Sequence, residues 1–147
     1  MEKYLWILLV IVAGACLPVQ TGLNNKIGKV LESPIHASFV SFTVGAISIL
    51  VFILLFRIQY HAGSIQNVPT FAWTSGLFGA FYVVIAIMGY QKLGVPVTFG
   101  LIVTGQMIAS LILEHNNILV AAPHPINWAR IAGVGLIIGG VVLIRNF

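Results

Sequence analysis

Runs of about 20 residues with at most one charged side chain occur five times along the sequence, which constrains the fold more than any other feature. A helix of this length crosses the roughly 30 Å hydrocarbon core of a bilayer. The chain is 59% hydrophobic and 7% charged, whereas a soluble domain is roughly 25% charged. A soluble fold of this size could not bury so much apolar surface, so the chain is predicted to be an all-α integral membrane protein.

Signals for helix starts support five transmembrane helices. Ser33 followed by Pro34 is typical of an N-cap and a first helical residue, and Asn127 can cap the last helix. No linker interrupts the sequence, so residues 1–147 are predicted to form a single five-helix domain. The predicted spans are Tyr4 to Leu23, Pro34 to Phe56, Phe71 to Tyr90, Val95 to Leu113 and Ile126 to Ile144.

The lysine and arginine residues are divided almost equally between the two sides of the membrane. An excess on the cytoplasmic side normally sets the orientation of a membrane protein. We therefore expect the chain to insert in both orientations and to pair with itself as an antiparallel homodimer, with inverted-repeat symmetry. A single orientation, set by another signal, is the alternative. One side carries Lys3, Arg57 and Arg130, and the other carries Lys26, Lys29, Lys92 and Arg145.

Composition argues against several other classes of function. The net charge of +4 comes from scattered cations, not from the basic stripe that binds nucleic acid. The sequence contains no Asp and one cysteine, Cys16, so we expect no disulfide and no metal site. It also lacks a nucleophile with a base and a phosphate-binding glycine loop. We expect neither enzymatic activity nor a cofactor.

Polar residues interrupt the first predicted helix. Pro18 has no N–H to donate to the carbonyl of Gly14, which predicts a kink or break. Irregular backbone at membrane depth is tolerated beside protein or a water-filled cavity, so such a break indicates a binding site. Gln20 and Asn24 follow on one helical face. Their amides could bind a solute or hold helices together, and the sequence favours neither interpretation.

The fourth span carries Gln106, Ser110 and Glu114 at intervals of four residues, so all three project from one face. Gln106 is near the middle of the membrane, where an amide can bind a ligand or another helix. Glu114 lies at the end of the helix, and Arg130 enters from the same side. A structural ion pair is one interpretation, and a role in binding substrate or protons is the other.

Two further features concern titration and packing. His36, at the start of the second span, could titrate near neutral pH, or it could be a hydrogen-bonded structural residue. Gly135 and Gly139 have the GxxxG spacing of a helix-packing face, which could be a dimer interface. Small residues in the second span also form a stripe, made of Ala37, Ser41, Gly45 and Ser48.

Several of these segments resemble a known family of membrane proteins, the YdcZ-like family of the drug/metabolite transporter (EamA-like) superfamily. The resemblance is carried by Pro18 to Asn24, Ser33 to Ala37, Val40 to Phe42 with Gly45, Gly76 to Tyr82, and Gly105 to His115. It implies one five-helix half of a ten-helix, inverted-repeat transporter. Family members with this architecture occur as single genes, as pairs or as fused ten-helix proteins.

The resemblance also implies which residues matter. The family's motif positions fall on Pro18, Gln20, Asn24, Ser41, Gln106 and Ser110, and Glu114 stands where the family commonly has Asp. The related small multidrug resistance exporters use a carboxylate midway along the first helix, but this chain has none between Glu2 and Glu32. Their mechanism for cationic drugs therefore does not transfer, and a neutral or zwitterionic metabolite suits the lining better.

We predict a secondary transporter of a small metabolite-like solute, located in the bacterial inner membrane and working by alternating access. Its partners would be the lipid bilayer, a second copy of the chain and the solute. A passive channel and an accessory subunit of a larger membrane complex are the alternatives. The predicted substrate-binding residues are Gln20, Asn24, Ser41, Gln106 and Ser110, with Gly14 and Pro18 as the helix break.

Overall fold

The computed structural model describes residues 2–59, 62–120 and 124–147. Within these ranges the regular structure is entirely helical. All five long helices have the length and composition needed to cross a membrane, so the predicted fold class is confirmed. They are α1 (Glu2–Val30), α2 (Pro34–Leu55), α3 (Ser75–Leu93), α4 (Val95–His115) and α5 (Trp128–Asn146), and two short 3₁₀ helices, Ala62–Asn67 and Thr70–Thr74, precede α3.

The helix starts follow the capping chemistry of the sequence. Ser33 is extended, and its side chain accepts a hydrogen bond from the backbone N–H of His36 at 3.2 Å. Asn127 is also extended, and its Oδ1 accepts from the N–H of Arg130 at 2.9 Å. Each cap provides an acceptor for an N–H group that has no partner inside the helix. Both predicted caps are therefore confirmed.

Helix α1 extends beyond the boundary predicted from hydropathy. The predicted span ends at Leu23, but the helix continues to Val30. The polar residues after Leu23 lower the hydropathy, yet they leave the helical backbone hydrogen bonds intact. The third helix is shorter than predicted at its start. The predicted span begins at Phe71, but Thr70–Thr74 is a 3₁₀ helix and α3 begins at Ser75.

Pro18 lies inside α1, and the residues on both sides of it are helical. The sequence predicted a kink or a break here, and the structure excludes the break, since α1 is one continuous helix. A proline removes one hydrogen bond, to the carbonyl of Gly14, and the bonds of the flanking turns remain. Pro18 is therefore a weak point in α1 and not its end.

Three helices end with the same turn. Glu32, Arg57 and Asn117 follow α1, α2 and α4 with φ angles of 52°, 49° and 53°, the left-handed conformation that commonly ends a helix. After α1, the N–H of Ser33 donates to the carbonyl of Gly28 at 3.0 Å. This bond closes the turn that returns the chain, so α2 packs against α1.

The chain forms two compact units, Met1–Gln91 and Lys92–Phe147. In the first unit, Ala37, Val83 and Ile87 form a buried cluster with Ile27 and Tyr82 packed against it. In the second unit, α4 packs against α5. The single five-helix domain remains a prediction.

Helices α4 and α5 approach closely at Gly100. A Cβ atom at this position would lie 2.5 Å from Cγ2 of Val141, closer than two carbon atoms can pack. The side chain of Val141 is buried. Glycine is therefore required here by the packing of the two helices.

Most of the apolar surface of the helices is exposed. In the 18-residue apolar stretch of each membrane-spanning segment, 6% of the residues are buried in four segments and 17% in the third. Exposed side chains of this kind need lipid or another protein around them, because water would solvate them poorly. This pattern is the inverse of a soluble domain and agrees with a membrane location.

Candidate solute-binding groove

A groove of about 530 Å³ lies between α1 and α2 in the first unit. Its walls are mainly aliphatic, and polar groups come from both helices. Cys16, Gln20 and Asn24 recur at intervals of four residues along α1 and therefore lie on one helical face. The groove is lined by Val12, Ala15, Cys16, Val19, Gln20, Leu23, Asn24, Ile27, Val40, Ser41 and Val44.

Gln20 and Ser41 face each other across the groove. Nε2 of Gln20 donates a hydrogen bond to Oγ of Ser41 over 3.4 Å, which is long for such a bond. The same two residues also line a second hollow of about 340 Å³ along α2. The structure thus brings these two predicted site residues together.

Asn24 is the most buried polar residue of the groove, with 3% of its surface exposed. Its amide nitrogen Nδ2 has no hydrogen-bond partner among the residues that the structure describes. A buried donor without an acceptor is costly, and few exist in folded proteins. Asn24 therefore differs from a residue that merely joins two helices.

The adjacent residue, Asn25, has the structural role that Asn24 lacks. It is 6% exposed, and its Oδ1 accepts a hydrogen bond from Nε2 of Gln91 at 2.9 Å. This bond connects α1 to the last turn of α3. Sequence reasoning missed Gln91, because a polar residue beside Lys92 at the end of a span resembles a residue of the membrane interface.

A second polar site lies between α4 and α5. Nη2 of Arg130 binds Oε2 of Glu114 at 2.6 Å, and Nη1 of Arg130 donates to the carbonyl of His124 at 3.0 Å. The two charged side chains are 30% and 25% exposed. Glu114 and Arg130 therefore form an ion pair in the structure, and a role of this pair in binding substrate or protons stays a prediction.

The other residues predicted on the α4 face do not all join this site. Ser110 lines a hollow of about 400 Å³ together with Glu114 and Arg130. Gln106 is exposed and lines none of the hollows described here, although it belongs to the same helical face. Ser110 and Glu114 therefore share a hollow, while the contribution of Gln106 to a solute site remains a prediction.

The remaining predicted site residues lie on open surfaces of their units. A Cβ atom at Gly14, Gly135 or Gly139 would meet no described atom within 4 Å. His36 is exposed in the first turn of α2. Among residues 2–59, 62–120 and 124–147, no three His, Cys, Asp or Glu side chains gather to hold a metal ion.

Comparison with known proteins identifies the family. The family described as "Putative inner membrane exporter, YdcZ" matches residues 5–143. The chain belongs to the YdcZ family. The "Inner membrane protein YdcZ" of Escherichia coli (strain K12) is 32% identical over 117 residues, which are 78% of this chain and 77% of that protein. No solved structure matches the chain.

Membership of the YdcZ family confirms the resemblance noted in the sequence. The match covers all five helices except their outermost residues. The chain is therefore an integral protein of the inner membrane, and its family is one of membrane transporters. The predicted location is confirmed.

Proposed function

We propose that the chain is a secondary transporter that moves a small metabolite-like solute by alternating access, as an antiparallel homodimer of five-helix halves. The description of the YdcZ family as exporters leads us to propose outward transport. The observation that carries the proposal is the groove between α1 and α2, where Gln20, Asn24 and Ser41 interrupt an aliphatic surface.

The cost of polar groups at membrane depth supports a solute site. A polar side chain in the hydrocarbon region is costly unless it meets a partner or lines a cavity. Gln20 and Ser41 share one long hydrogen bond, and Nδ2 of Asn24 has no partner in the described part of the chain. Helix cohesion alone would favour short bonds for all three, as it does for Asn25.

We propose that a second copy of the chain packs against part of the exposed apolar surface of the helices. The near-equal distribution of lysine and arginine between the two sides permits both orientations. Two inverted copies would form the pseudo-symmetric pair whose rocking alternates access in many carriers. We propose that Gln106 and Ser110 of α4 complete the site and that Gly135 and Gly139 form part of the dimer interface.

The proposal can be tested at Cys16, the single cysteine of the chain. Cys16 lies at the midpoint of α1 and lines the groove. A charged, membrane-impermeant methanethiosulfonate reagent reaches that depth only through water, and only the thiolate reacts. Applied to either face of sealed vesicles, the reagent should modify Cys16 in both inverted copies of the dimer. The absence of labelling from both faces would refute a solute passage at this groove.

Two controls separate the proposal from the alternatives. A cysteine at Leu136, which is 78% exposed near the midpoint of α5, should stay unlabelled when it is introduced into a Cys16→Ala chain. Glutathione trapped inside the vesicles should also stay unmodified, since a carrier does not let the reagent cross freely. Rapid modification of the trapped glutathione would favour a channel.

The antiparallel dimer is tested separately with a reporter fused to the C-terminus. Activity of the reporter on both sides of the membrane supports insertion in both orientations. Activity on one side alone contradicts the homodimer as proposed. Crosslinking that yields only a foreign partner would favour the accessory subunit.

A further inference from the structure

We propose that Asn24 recognises the solute by donating a hydrogen bond from Nδ2 to an acceptor oxygen, and that the solute is uncharged and partly apolar. This inference rests on the proposed function and adds the chemical class of the substrate. It starts from one atom, since Nδ2 of Asn24 is buried and has no acceptor among the described residues.

The lining of the groove points to the solute as that acceptor. Gln20 and Ser41 already bind each other, which leaves Asn24 as the unpaired amide of the lining. The terminal torsion of an asparagine side chain is soft, so the amide group can turn toward an oxygen in the groove. A carbonyl or ether oxygen there would remove the cost of the buried donor.

The charge of the lining determines the class of solute. None of the described residues that line the groove is acidic or basic, so an ion bound there would lose its hydration without gaining a counter-charge. Aliphatic side chains such as Val12, Val19 and Val44 form most of the wall. A neutral solute with an apolar part and one acceptor fits this surface better than a zwitterion, a cation or an anion.

The adjacent asparagine provides the contrast on which the argument depends. Asn25 is buried to a similar extent, but its Oδ1 is bonded to Gln91, and it does not line the groove. The two amides are adjacent in α1. Only Asn24 combines an unpaired donor with a place in the groove, so the pair serves as an internal control.

The test uses the protection of Cys16 by two probes of the same shape, valerophenone and pentylbenzene, which differ in one carbonyl group. Cys16 lies two helical turns, about 12 Å, from Asn24 on the same face, so a solute bound at Asn24 narrows the passage to the thiol. With the full chain in vesicles, we expect valerophenone to slow the labelling of Cys16 about threefold to tenfold more than pentylbenzene does, the worth of one hydrogen bond. Pentylbenzene is the control for any protection that comes only from partition of an apolar probe into the lipid.

Substitutions at Asn24 and Asn25 test whether the difference between the two probes depends on the Asn24 amide. Asn24→Leu should abolish the difference between the two probes while Cys16 is still labelled, and Asn24→Ala, which also lacks the donor, should do the same if the leucine variant fails to fold. Asn25→Leu should keep the difference. Equal protection by both probes in the natural protein, or a difference that persists without the Asn24 donor, overturns the inference.

Charged analogues test the second part of the inference. Stronger protection by 5-phenylpentanoate or by 4-phenylbutyl-trimethylammonium than by valerophenone would overturn the assignment of an uncharged solute. In each of these outcomes Cys16 is still labelled from water, so the proposed transporter stands while the recognition by Asn24 fails. Loss of all labelling refutes both together.

Discussion

The guanidinium group of Arg130 and the carboxylate of Glu114 join the first turn of α5 to the last turn of α4, with 2.6 Å between Nη2 and Oε2. The same arginine binds the carbonyl of His124, and its backbone N–H is capped by Asn127. Arg130 therefore organises the end of the α4 and α5 pair through three separate bonds.

Removal of either charge should destabilise the second unit, because the remaining charge is left partly buried without its partner. We expect a double-mutant cycle of Glu114→Gln and Arg130→Gln to show a coupling of about 1 kcal/mol in the free energy of unfolding, since both groups remain partly exposed. Unfolding in detergent would measure it, with Arg145→Gln at the other end of α5 as the control. Additive effects would contradict a direct pair.

The contact between Gly100 and Val141 leads to a second prediction. Gly100→Ala should lower the free energy of unfolding by about 1–3 kcal/mol, the usual cost of overpacking, because the new Cβ would meet Cγ2 of Val141 at 2.5 Å. Val141→Ala should rescue much of this loss by making room. Gly105→Ala, where a Cβ meets no described atom within 4 Å, is the matched control, and an equal loss there would refute the explanation by packing.

Asn24 and Asn25 should respond in opposite ways to the same substitution. Asn25→Leu removes the hydrogen bond to Gln91, which should cost about 0.5–1.5 kcal/mol of stability. Asn24→Leu removes a buried donor that has no partner in the described chain, so stability should stay the same or rise. Thermal unfolding of the two variants in one detergent compares them directly. A larger loss for Asn24→Leu would indicate a structural role for Asn24.

Pro18 should make α1 less stable and more mobile than a helix without an interior proline. Pro18→Ala restores a donor to the carbonyl of Gly14, so we expect a higher melting temperature. We propose that α1 flexes at Pro18, so labelling of Cys16 should also become slower, and by the same factor from both faces of the antiparallel dimer. Pro34→Ala is the control, because a proline at the first position of α2 loses no helical bond. Unchanged labelling in Pro18→Ala would exclude this hinge.

Gln106 tests whether α4 contributes to the solute site. We expect expression of the natural protein to make a sensitive host resistant to uncharged aromatic ketones, and we expect Gln106→Leu to abolish this resistance while leaving insertion into the membrane intact. Thr104→Val is the control, since it also removes one polar group from α4. The Thr104 hydroxyl already donates to the carbonyl of Gly100 at 2.8 Å, so its loss should leave transport unchanged. Unchanged resistance with Gln106→Leu would remove this residue from the site.

Individual residues show where sequence reasoning succeeded and where it stopped. Ser33 and Asn127 were identified as caps because an N-cap depends on neighbours a few residues away. Gln20 and Asn24 were placed on one face by helical periodicity alone. The hydrogen bond between Asn25 and Gln91 joins residues 66 positions apart, and no local pattern indicates such a pair.

The amino-acid sequence by itself determined that the chain crosses a membrane five times, because the hydrocarbon core requires long uncharged helices whatever their neighbours are. It also determined the capped starts of α2 and α5 and the order of polar residues on each helical face. Only the tertiary structure decided which amide is paired and which is not, and that Gly100 must remain without a side chain. Those properties depend on the contact between two packed helices, where a displacement of one ångström makes or removes a hydrogen bond.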